Sequence, residues 1–268
     1  MVSLAKKGAA WWLLERSRRR RAAPFAPTNL AGAVLWLRAD LGVEETGAGV
    51  SLWEDQSGSG NDATQTTDAL RPIFNESSAN LNGAPTVQFT AAGTHAMHIA
   101  ADAVLEDGTG DGFTVVAALH QDALGAASQD LISGRNAADT AELRIATEIS
   151  GSDEVGFYNN QWVGCGEDAT LVDQSLAWRT TNGSGAAGTC EVFRDGVSIG
   201  TATPGASSVA GLADHAGGSG NRLSIGSYRA QNQEWLNAEV AELIVYSRKL
   251  SDGEIATIHG YMATRYGI

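Results

Sequence analysis

The sequence predicts an all-β protein in which two antiparallel sheets pack face to face as a β-sandwich, with a short helix at the C-terminus. Short runs of β-favouring residues recur along the chain, and turns rich in Gly, Asp, Asn and Ser separate them. The 32 glycines against 5 prolines are typical of a protein with many tight turns. Beyond residue 27, helical periodicity first appears at Ser251. One domain of this length is ordinary for a β-sandwich.

Twelve segments have the composition expected of strands. The Asp195-Gly196 dipeptide predicts a tight hairpin between two of them, because both positions of a type I′ turn need a positive φ. The predicted strands, in chain order, are residues 33–40, 50–53, 86–90, 96–100, 113–120, 142–149, 155–163, 175–181, 190–193, 197–203, 222–226 and 239–246.

The last predicted strand, residues 239–246, is apolar on both faces, which places it in the middle of a layered sheet. Glu242 is the exception, and its single carboxylate is expected to be hydrogen-bonded or metal-bound. Strict alternation assigns two sets of side chains to opposite faces. These sets are Ala241, Leu243 and Val245 on one face and Val240, Ile244 and Tyr246 on the other.

A capped helix is predicted to follow this strand. Ser251 and Glu254 have the spacing of a capping box, and Leu250 with Ile255 has that of a hydrophobic staple. Gly267 stands where a left-handed C-terminal cap is favoured. The apolar stripe that must pack on the sheet consists of Ile255, Ile258, Met262 and Tyr266.

The net charge of −13 is unevenly distributed. Residues 1–27 hold seven basic residues and one acidic residue, a net charge of +6, which leaves −19 for the remainder. An acidic body argues against nucleic-acid binding through the main domain, because phosphate contacts need Lys and Arg. It is compatible with cation binding. No segment has the roughly 18 apolar residues of a membrane-spanning helix.

We therefore divide the chain into an N-terminal arm, residues 1–27, and a domain, residues 28–268. The apolar run of the arm is short and precedes its arginines, which is unlike a secretory signal. An amphipathic anchor that docks on another protein and a disordered basic tail are both open interpretations, with contact to nucleic acid or a membrane surface as a third. The anchor residues are Trp11, Trp12, Arg18, Arg19, Arg20 and Arg21.

Several segments resemble bacterial and phage LamG-like domains over about residues 30–268. At the start these are residues 35–40, 50–65 and 82–89 with Arg71-Pro72, and at the end residues 238–251 with the following helix. The resemblance implies a concanavalin A-like jelly roll. It also implies a carbohydrate-binding or protein-binding module, in some members with calcium, of the kind found in phage tail, fibre and head-decoration proteins.

The resemblance and the arm together lead to a functional hypothesis. The chain is expected to be a non-enzymatic phage virion protein of the tail, fibre, spike or head decoration. It would attach to other virion proteins through residues 1–27 and present a surface to a host glycan or receptor, with self-association left open. A secreted or cell-surface carbohydrate-binding module is the alternative, and a glycoside hydrolase is the third hypothesis.

The sequence matches known catalytic motifs only weakly. Ser198 lies in a G-x-S-x-G string, but its position inside a predicted hairpin strand is wrong for a nucleophile elbow, which needs a strand, a strained turn and a helix. A glycosidase needs two carboxylates on one face. Glu239 and Glu242, three residues apart, are expected to face opposite sides of an extended strand.

Two sets of residues are candidate ligand sites. Trp162 with Asn160, and Trp235 with Gln233, combine an aromatic ring with an amide, as sugar-stacking sites do, although core packing is the alternative. Asp55, Asn61 and Asp62 form a Gly/Ser-rich loop whose oxygens suit Ca²⁺. An Asx turn that caps its own backbone is the alternative. Calcium is the only cofactor the sequence favours.

The two cysteines, Cys165 and Cys190, lack the spacing of a zinc site. They flank the predicted strand 175–181, so a disulfide between neighbouring strands and a pair of buried free thiols are both open.

Overall fold

The computed structural model describes the chain in nine ranges, with some residues at strand ends described by backbone alone. These ranges are residues 24–100, 112–125, 127–135, 142–149, 154–159, 162–180, 189–202, 222–228 and 234–268. They contain one α-helix, α1 (Asp252–Tyr266), and seventeen strands. The strands are β1 (Ala33–Arg38), β2 (Val43–Thr46), β3 (Gly49–Trp53), β4 (Ala63–Thr64), β5 (Ile73–Asn75), β6 (Thr86–Phe89), β7 (Met97–Ile99), β8 (Thr114–Gln121), β9 (Gln129–Arg135), β10 (Glu142–Ile149), β11 (Glu154–Asn159), β12 (Trp162–Asp168), β13 (Asp173–Thr180), β14 (Cys190–Arg194), β15 (Val197–Ala202), β16 (Arg222–Ile225) and β17 (Ala238–Tyr246).

The strands form two antiparallel sheets, which confirms the predicted β-sandwich with its C-terminal helix. One sheet has eight strands in the order β15-β14-β13-β8-β17-β6-β5, and β1 pairs with β17 beside β6. The other sheet has nine strands in the order β12-β11-β10-β9-β16-β7-β4-β3-β2. Eight of the fifteen pairs between these strands join consecutive strands, and the other seven join strands that are not consecutive, so the centre of each sheet depends on long-range pairing.

The two sheets enclose one hydrophobic core, with Trp53, Phe89, Phe157 and Trp178 among its largest fully buried side chains. Helix α1 packs on the other face of the eight-stranded sheet through the predicted stripe, which includes Ile258. The eight-stranded sheet is therefore covered on both faces. The nine-stranded sheet has one face on the core, and we call its other face the outer face. Within the described residues, no helix is both long and apolar enough to span a membrane.

The predicted faces of β17 are wrong at one point, because the strand contains a β-bulge between Val240 and Glu242. The bulge places Val240 on the core side with Leu243, while Ala241 packs on the helix side. Glu239 pairs with His120 and Glu242 pairs with Ala118, two residues apart on β8. The two glutamates therefore share the helix side of the sheet, contrary to the alternation expected for a regular strand.

The predicted strand 155–163 is in fact two strands, β11 and β12, that pair with each other. Strands β2, β4, β5 and β9 were not predicted, since they are short or carry polar side chains such as Gln129 and Asp130.

The local predictions around the helix are confirmed. The amide of Ser251 donates to Glu254 Oε2 at 2.8 Å, and the Glu254 amide donates to Ser251 Oγ at 3.3 Å. Gly267 ends the helix with a φ of 75°. Asp195 and Gly196 form the hairpin turn between β14 and β15 with φ values of 51° and 77°. Ser198 lies in β15, so the nucleophile-elbow geometry is not formed.

The anchor residues Trp11, Trp12, Arg18, Arg19, Arg20 and Arg21 lie outside the described residues. The end of the arm packs on the domain. The ring of Phe25 meets that of Tyr261 edge-on at 5.7 Å, and the buried Tyr246 hydroxyl donates to the Pro27 carbonyl at 2.9 Å. The end of the predicted arm, residues 25–27, therefore contacts the helix side of the domain.

Cys165 and Cys190 are free thiols buried in the core. Each thiol is the hydrogen-bond neighbour of the other, and burial raises the pKa of Cys190 well above its usual value. Of the two alternatives, a disulfide and a pair of buried free thiols, the structure therefore has the free thiols.

Candidate functional site

The outer face of the nine-stranded sheet carries a continuous row of residues that are cross-strand partners. Their sequence neighbours, such as Phe157, Leu143 and Leu223, point into the core, so alternation places the described side chains of the row on the outer face. We call this set the central row. From β12 to β3 it consists of Trp162, Tyr158, Arg144, Ser133, Ser224, His98, Thr64 and Leu52.

Arg144 is the charged centre of the central row. Its Nε donates to Asp130 Oδ2 at 2.7 Å and its second guanidinium nitrogen to Oδ1 at 3.0 Å, a bidentate pair. It also forms an ion pair with Glu234. Arg144 is 4% exposed and Asp130 is fully buried, so the pair is held in a low-dielectric setting where losing one partner leaves a costly lone charge.

Two tyrosine rings lie against the Arg144 guanidinium. The centre of the Tyr228 ring is 4.1 Å from the guanidinium carbon, and that of the Tyr158 ring is 5.4 Å away. These are cation–π distances. Tyr228 is buried whereas Tyr158 is half-buried, so Tyr158 adds aromatic surface to the outer face.

The segment from Glu234 to Leu236 brings a tryptophan beside this cluster. The Asp130 amide donates to the Glu234 carbonyl at 3.3 Å, and the Leu236 amide donates to the Gly226 carbonyl at 3.0 Å. Glu234 has a φ of 55°, a left-handed conformation that costs energy for a residue with a Cβ. Between these two tethers lies Trp235, which is half-buried.

The structure therefore brings both predicted tryptophan positions to one region. Trp162 stands at the end of the central row as the partner of Tyr158, and Trp235 follows the residue that pairs with Arg144. The Trp162 side chain, Asn160 and Gln233 lie outside the described residues. Sequence reasoning missed Arg144, Asp130 and Tyr228. The available signal was the single arginine at an outward position of an otherwise apolar segment, Leu143 to Ala146.

The predicted calcium ligands lie in one loop and are occupied by the protein itself. Asp55 Oδ1 accepts from the amides of Trp36 and Ser57, both at 2.8 Å, and Oδ2 accepts from the Asn61 amide at 3.0 Å. Asp62 Oδ1 accepts from the Asp55 amide at 2.8 Å. These contacts are those of the Asx-turn alternative. The described residues contain no group of three His, Cys, Asp or Glu side chains placed to hold a metal ion.

A second polar cluster lies beneath α1, around the fully buried Glu242. Its carboxylate accepts from Trp36 Nε1, from the Tyr261 hydroxyl at 3.0 Å and from the Tyr266 hydroxyl at 2.5 Å. Burial raises the pKa of Glu242, and these hydrogen bonds oppose the shift. Burial and the nearby Glu242 charge also raise the pKa values of both tyrosines.

A small pocket of about 210 Å³ opens beside this cluster, lined by Asp40, Ala84, Pro85, Arg265 and Tyr266. Asp40 accepts hydrogen bonds from Arg38 at 2.8 Å and from Arg265 at 2.8 Å. Burial would raise the pKa of Asp40, but the Arg38 hydrogen bond and the Arg265 charge lower it. Arg265, the cation that lines the pocket, is thus already paired with Asp40.

Glu239, on the same side of the sheet as Glu242, is also engaged. It accepts from the Ser78 hydroxyl, from the Thr86 hydroxyl at 3.5 Å and from the Asn75 amide at 3.5 Å. The two carboxylates therefore serve as internal acceptors in the described structure.

A serine and a histidine also meet at the helix side. Ser175 Oγ is 2.7 Å from His259 Nδ1, but Asp195 accepts from the Ser175 amide, at 2.9 Å. Burial lowers the pKa of His259. Ser175 is buried, and Asp195 accepts from its backbone amide. The three residues therefore lack the arrangement of a catalytic triad, in which an acid orients the histidine that activates the serine.

Comparison with known proteins shows that the chain is similar in fold to several solved structures. No protein-family model and no curated protein matches the chain significantly. Three similar solved structures are domain 4 of the GH43 extracellular arabinanase AbnA from Geobacillus stearothermophilus, in complex with arabinotriose, a sialidase from Trypanosoma rangeli and the binding domain of Paraclostridial Mosquitocidal Protein 1.

The TM-scores are 0.56 for the arabinanase domain, 0.53 for the sialidase and 0.52 for the binding domain, at identities of 10%, 16% and 12%. The matches cover 85%, 88% and 88% of this chain. They cover 98% of the arabinanase domain but only 33% of the sialidase and 53% of the binding domain. The chain shares with these structures a β-sandwich fold of the jelly-roll type, consistent with the concanavalin A-like fold implied by its sequence.

Proposed function

We propose that this chain is a non-enzymatic glycan-binding domain and that it serves on a phage virion, as a tail, fibre, spike or head-decoration protein. The observation that carries the glycan proposal is the cluster around Arg144, in which the guanidinium contacts the rings of Tyr158 and Tyr228 and pairs with Glu234, the residue before the half-buried Trp235. Two of the similar structures, a domain in complex with arabinotriose and the binding domain of Paraclostridial Mosquitocidal Protein 1, support a binding role.

In this proposal a sugar ring stacks on aromatic surface of the outer face. Tyr158 and Trp235 are half-buried and so offer ring surface at low entropic cost, since their neighbours already restrict them. Ser133 and Ser224, which follow in the central row, are buried, so the proposed contact lies at the Tyr158 end of the row. The buried Arg144–Asp130 pair fixes the strand geometry and does not itself contact the ligand.

Loss of ring surface tests the glycan proposal. On a glycan array and by calorimetry with the bound glycan, Tyr158→Ala and Trp235→Ala should each weaken binding by about tenfold or more, as for stacking contacts worth about 1–3 kcal/mol. Phe25→Ala, which removes an aromatic ring on the helix side, is the matched control and should bind normally. Wild-type binding that survives both outer-face substitutions would contradict the proposed site.

The virion part of the proposal rests on the basic arm and on where it joins the domain. Residues 25–27 pack beside Tyr261 and Tyr246, on the helix side and therefore across the sandwich from the outer face. An arm that begins there can attach to an acidic surface of a particle while the outer face stays accessible. A secreted or cell-surface carbohydrate-binding module is the alternative, with the same outer face.

Charge removal in the full chain tests the anchor. Replacing Arg18 to Arg21 by serine should abolish co-sedimentation with virions from the producing culture, whereas Lys6→Ser with Lys7→Ser should have a smaller effect. Incorporation of the arginine-free chain at the normal level would remove the anchor role of the arm. Glycan binding should be the same in all these variants.

A glycoside hydrolase is the second candidate, because the bulge in β17 places Glu239 and Glu242 on one side of the sheet. Their existing hydrogen bonds and their burial beneath neighbouring elements favour a structural role. Prolonged incubation of the bound oligosaccharide should release no shorter product. Product release that disappears in Glu242→Gln would favour the enzyme instead.

A further inference from the structure

The two cysteines of the chain meet although they belong to different sheets. Cys165 lies in β12, at the edge of the nine-stranded sheet, and Cys190 begins β14, in the eight-stranded sheet. Both are free thiols in the core between the sheets, and each is the hydrogen-bond neighbour of the other. They are the only cysteines in the 268 residues. We call Cys165 and Cys190 the thiol pair.

Main-chain contacts hold the two sheets close together at the thiol pair. Gly200 in β15 lies so near to β12 that a Cβ at this position would overlap the Cys165 carbonyl oxygen. Strand β15 pairs with β14, and β12 packs against both of them. The close approach of the sheets next to the sulfur atoms therefore does not depend on the cysteine side chains alone.

A disulfide needs only a small change in this arrangement. An S–S bond is about 2.05 Å long, so the two sulfur atoms must come closer than hydrogen-bond distance. Rotation of the side chains can supply this movement, because the strands that carry them are already packed together. The bond would join the two sheets across the core. It would also restrict the unfolded chain over the whole segment from β12 to β14, which is how a disulfide stabilises a fold.

We propose that the thiol pair is a redox-dependent link between the sheets, with free thiols in reducing surroundings and a disulfide in oxidising ones. The oxidant is a small-molecule disulfide such as oxidised glutathione. The thiolate of one cysteine attacks it, which forms a mixed disulfide and releases one glutathione. The thiolate of the second cysteine then attacks the protein sulfur of the mixed disulfide and releases the other glutathione. The thiol pair loses two protons and two electrons, and the oxidant is reduced to two thiols.

Burial determines when this bond can form. Cys190 is fully buried whereas Cys165 is 5% exposed, so a soluble oxidant reaches Cys165 first. The reaction needs a thiolate, and burial raises the pKa of Cys190. We therefore expect the folded, reduced domain to oxidise slowly, and the bond to form while the chain folds. A chain made in a reducing cytosol and refolded or used outside the cell would pass from the first state to the second.

Refolding of the full chain under two redox conditions tests the proposal. Urea-unfolded chain is refolded in reduced glutathione alone or in a mixture of reduced and oxidised glutathione, and the glutathione is then removed. Free thiols are counted by alkylation in denaturant and mass spectrometry. The oxidised sample should contain no free thiol and should run as a single chain in non-reducing electrophoresis. Its melting temperature should exceed that of the reduced sample by about 5–10 °C.

Single substitutions separate the bond from other effects of oxidation. Cys165→Ala and Cys190→Ala each leave one cysteine, so neither variant can form a bond within the chain. Oxidative refolding should therefore not raise the melting temperature of either variant. Because loss of a buried side chain lowers stability in both conditions, the comparison is made between the two samples of the same variant.

Two free thiols after oxidative refolding would overturn the proposal, and so would a disulfide between two chains in place of one within the chain. A bond that forms without raising the melting temperature would overturn its stabilising role. An equal rise in the single-cysteine variants would assign the effect to something other than the thiol pair. None of these measurements involves a glycan, so the proposal stands or falls independently of the proposed function.

Discussion

The hydroxyl of Tyr266, in the last turn of α1, donates a 2.5 Å hydrogen bond to the buried carboxylate of Glu242 in β17. This bond ties the end of the helix to the centre of the eight-stranded sheet. Trp36 on β1 and Tyr261 on α1 donate to the same carboxylate, so one side chain links three elements.

Replacement of Glu242 by alanine should therefore destabilise the domain strongly. Three buried or half-buried donors lose their acceptor, and we expect the free energy of unfolding to fall by about 3–5 kcal/mol. Glu242→Gln keeps an acceptor oxygen and the side-chain volume, so its loss should be clearly smaller. Urea unfolding followed by tryptophan fluorescence measures both. Equal losses in the two variants would contradict this expectation, because they would show that neither the retained acceptor oxygen nor the retained volume contributes.

The Arg144–Asp130 pair should behave as one unit. Arg144→Met leaves the fully buried Asp130 carboxylate without its bidentate partner, and we expect a loss of about 3–5 kcal/mol. Asp130→Asn in the Arg144→Met background removes the lone charge and should restore part of that stability. A double-mutant cycle by chemical denaturation measures the coupling. Additive losses would mean that the two side chains do not depend on each other.

Two glycines should respond to alanine in opposite directions. A Cβ at Gly200 in β15 would overlap the carbonyl oxygen of Cys165 in β12, so the variant must separate two edges of the sandwich and should lose about 1–3 kcal/mol. Gly260 lies exposed in α1 with open space around it, and alanine there should add about 0.5–1 kcal/mol through helix propensity. Thermal unfolding of both variants is sufficient. A stable Gly200→Ala protein would contradict the close approach of β12 and β15.

The start of α1 should carry a measurable share of stability. Ser251→Ala removes the side-chain acceptor for the Glu254 amide and should cost about 1 kcal/mol. The hydrogen bond from Arg248 lowers the pKa of Glu254 to about 2 from its usual 4.5. Because the folded pKa is depressed, this contribution is complete above pH 4.5 and is lost as the pH falls toward 2. Arg248→Met should flatten the stability profile in that window when measured by urea unfolding.

Asp55 should stabilise its loop with or without calcium. Asp55→Ala removes the acceptor of three backbone amides and should cost about 2 kcal/mol or more in buffer containing EDTA. Glu54→Ala, at the exposed neighbouring position, is the control. The calcium hypothesis for Asp55, Asn61 and Asp62 adds a second expectation. Calcium should raise the melting temperature of the wild type but not that of Asp55→Ala. An unchanged melting temperature of the wild type would contradict the calcium hypothesis and leave the Asx turn as the role of Asp55.

Elements with local chemical signals were predictable from the sequence. The Ser251–Glu254 capping box and the Asp195-Gly196 turn depend on residues within a few positions of one another, so the sequence states them directly. The positions of most of the longer strands were also readable, because runs of β-favouring residues between turns are a local signal.

Features set by pairing across the chain were not predictable. The bulge at Val240–Glu242 is a mismatch between β17 and β8, and no residue in β17 alone marks it. The Arg144 cluster unites side chains from β9, β10, β11 and two distant loops, of which Asp130 and Glu234 are 104 residues apart in numbering. A single sequence shows which residue types are available for such a site, but not which strands pair to bring them together.

The unequal covering of the two sheets has a consequence for how this domain can diversify. A substitution on the helix-bearing side of the eight-stranded sheet must be accommodated by repacking against α1, as the burial of Ile244, Tyr246 and Ile258 requires. Outward positions such as Tyr158 and Thr64 in the nine-stranded sheet are not covered in this way. Homologous domains can therefore vary a few such outward residues while the sandwich that supports them stays unchanged.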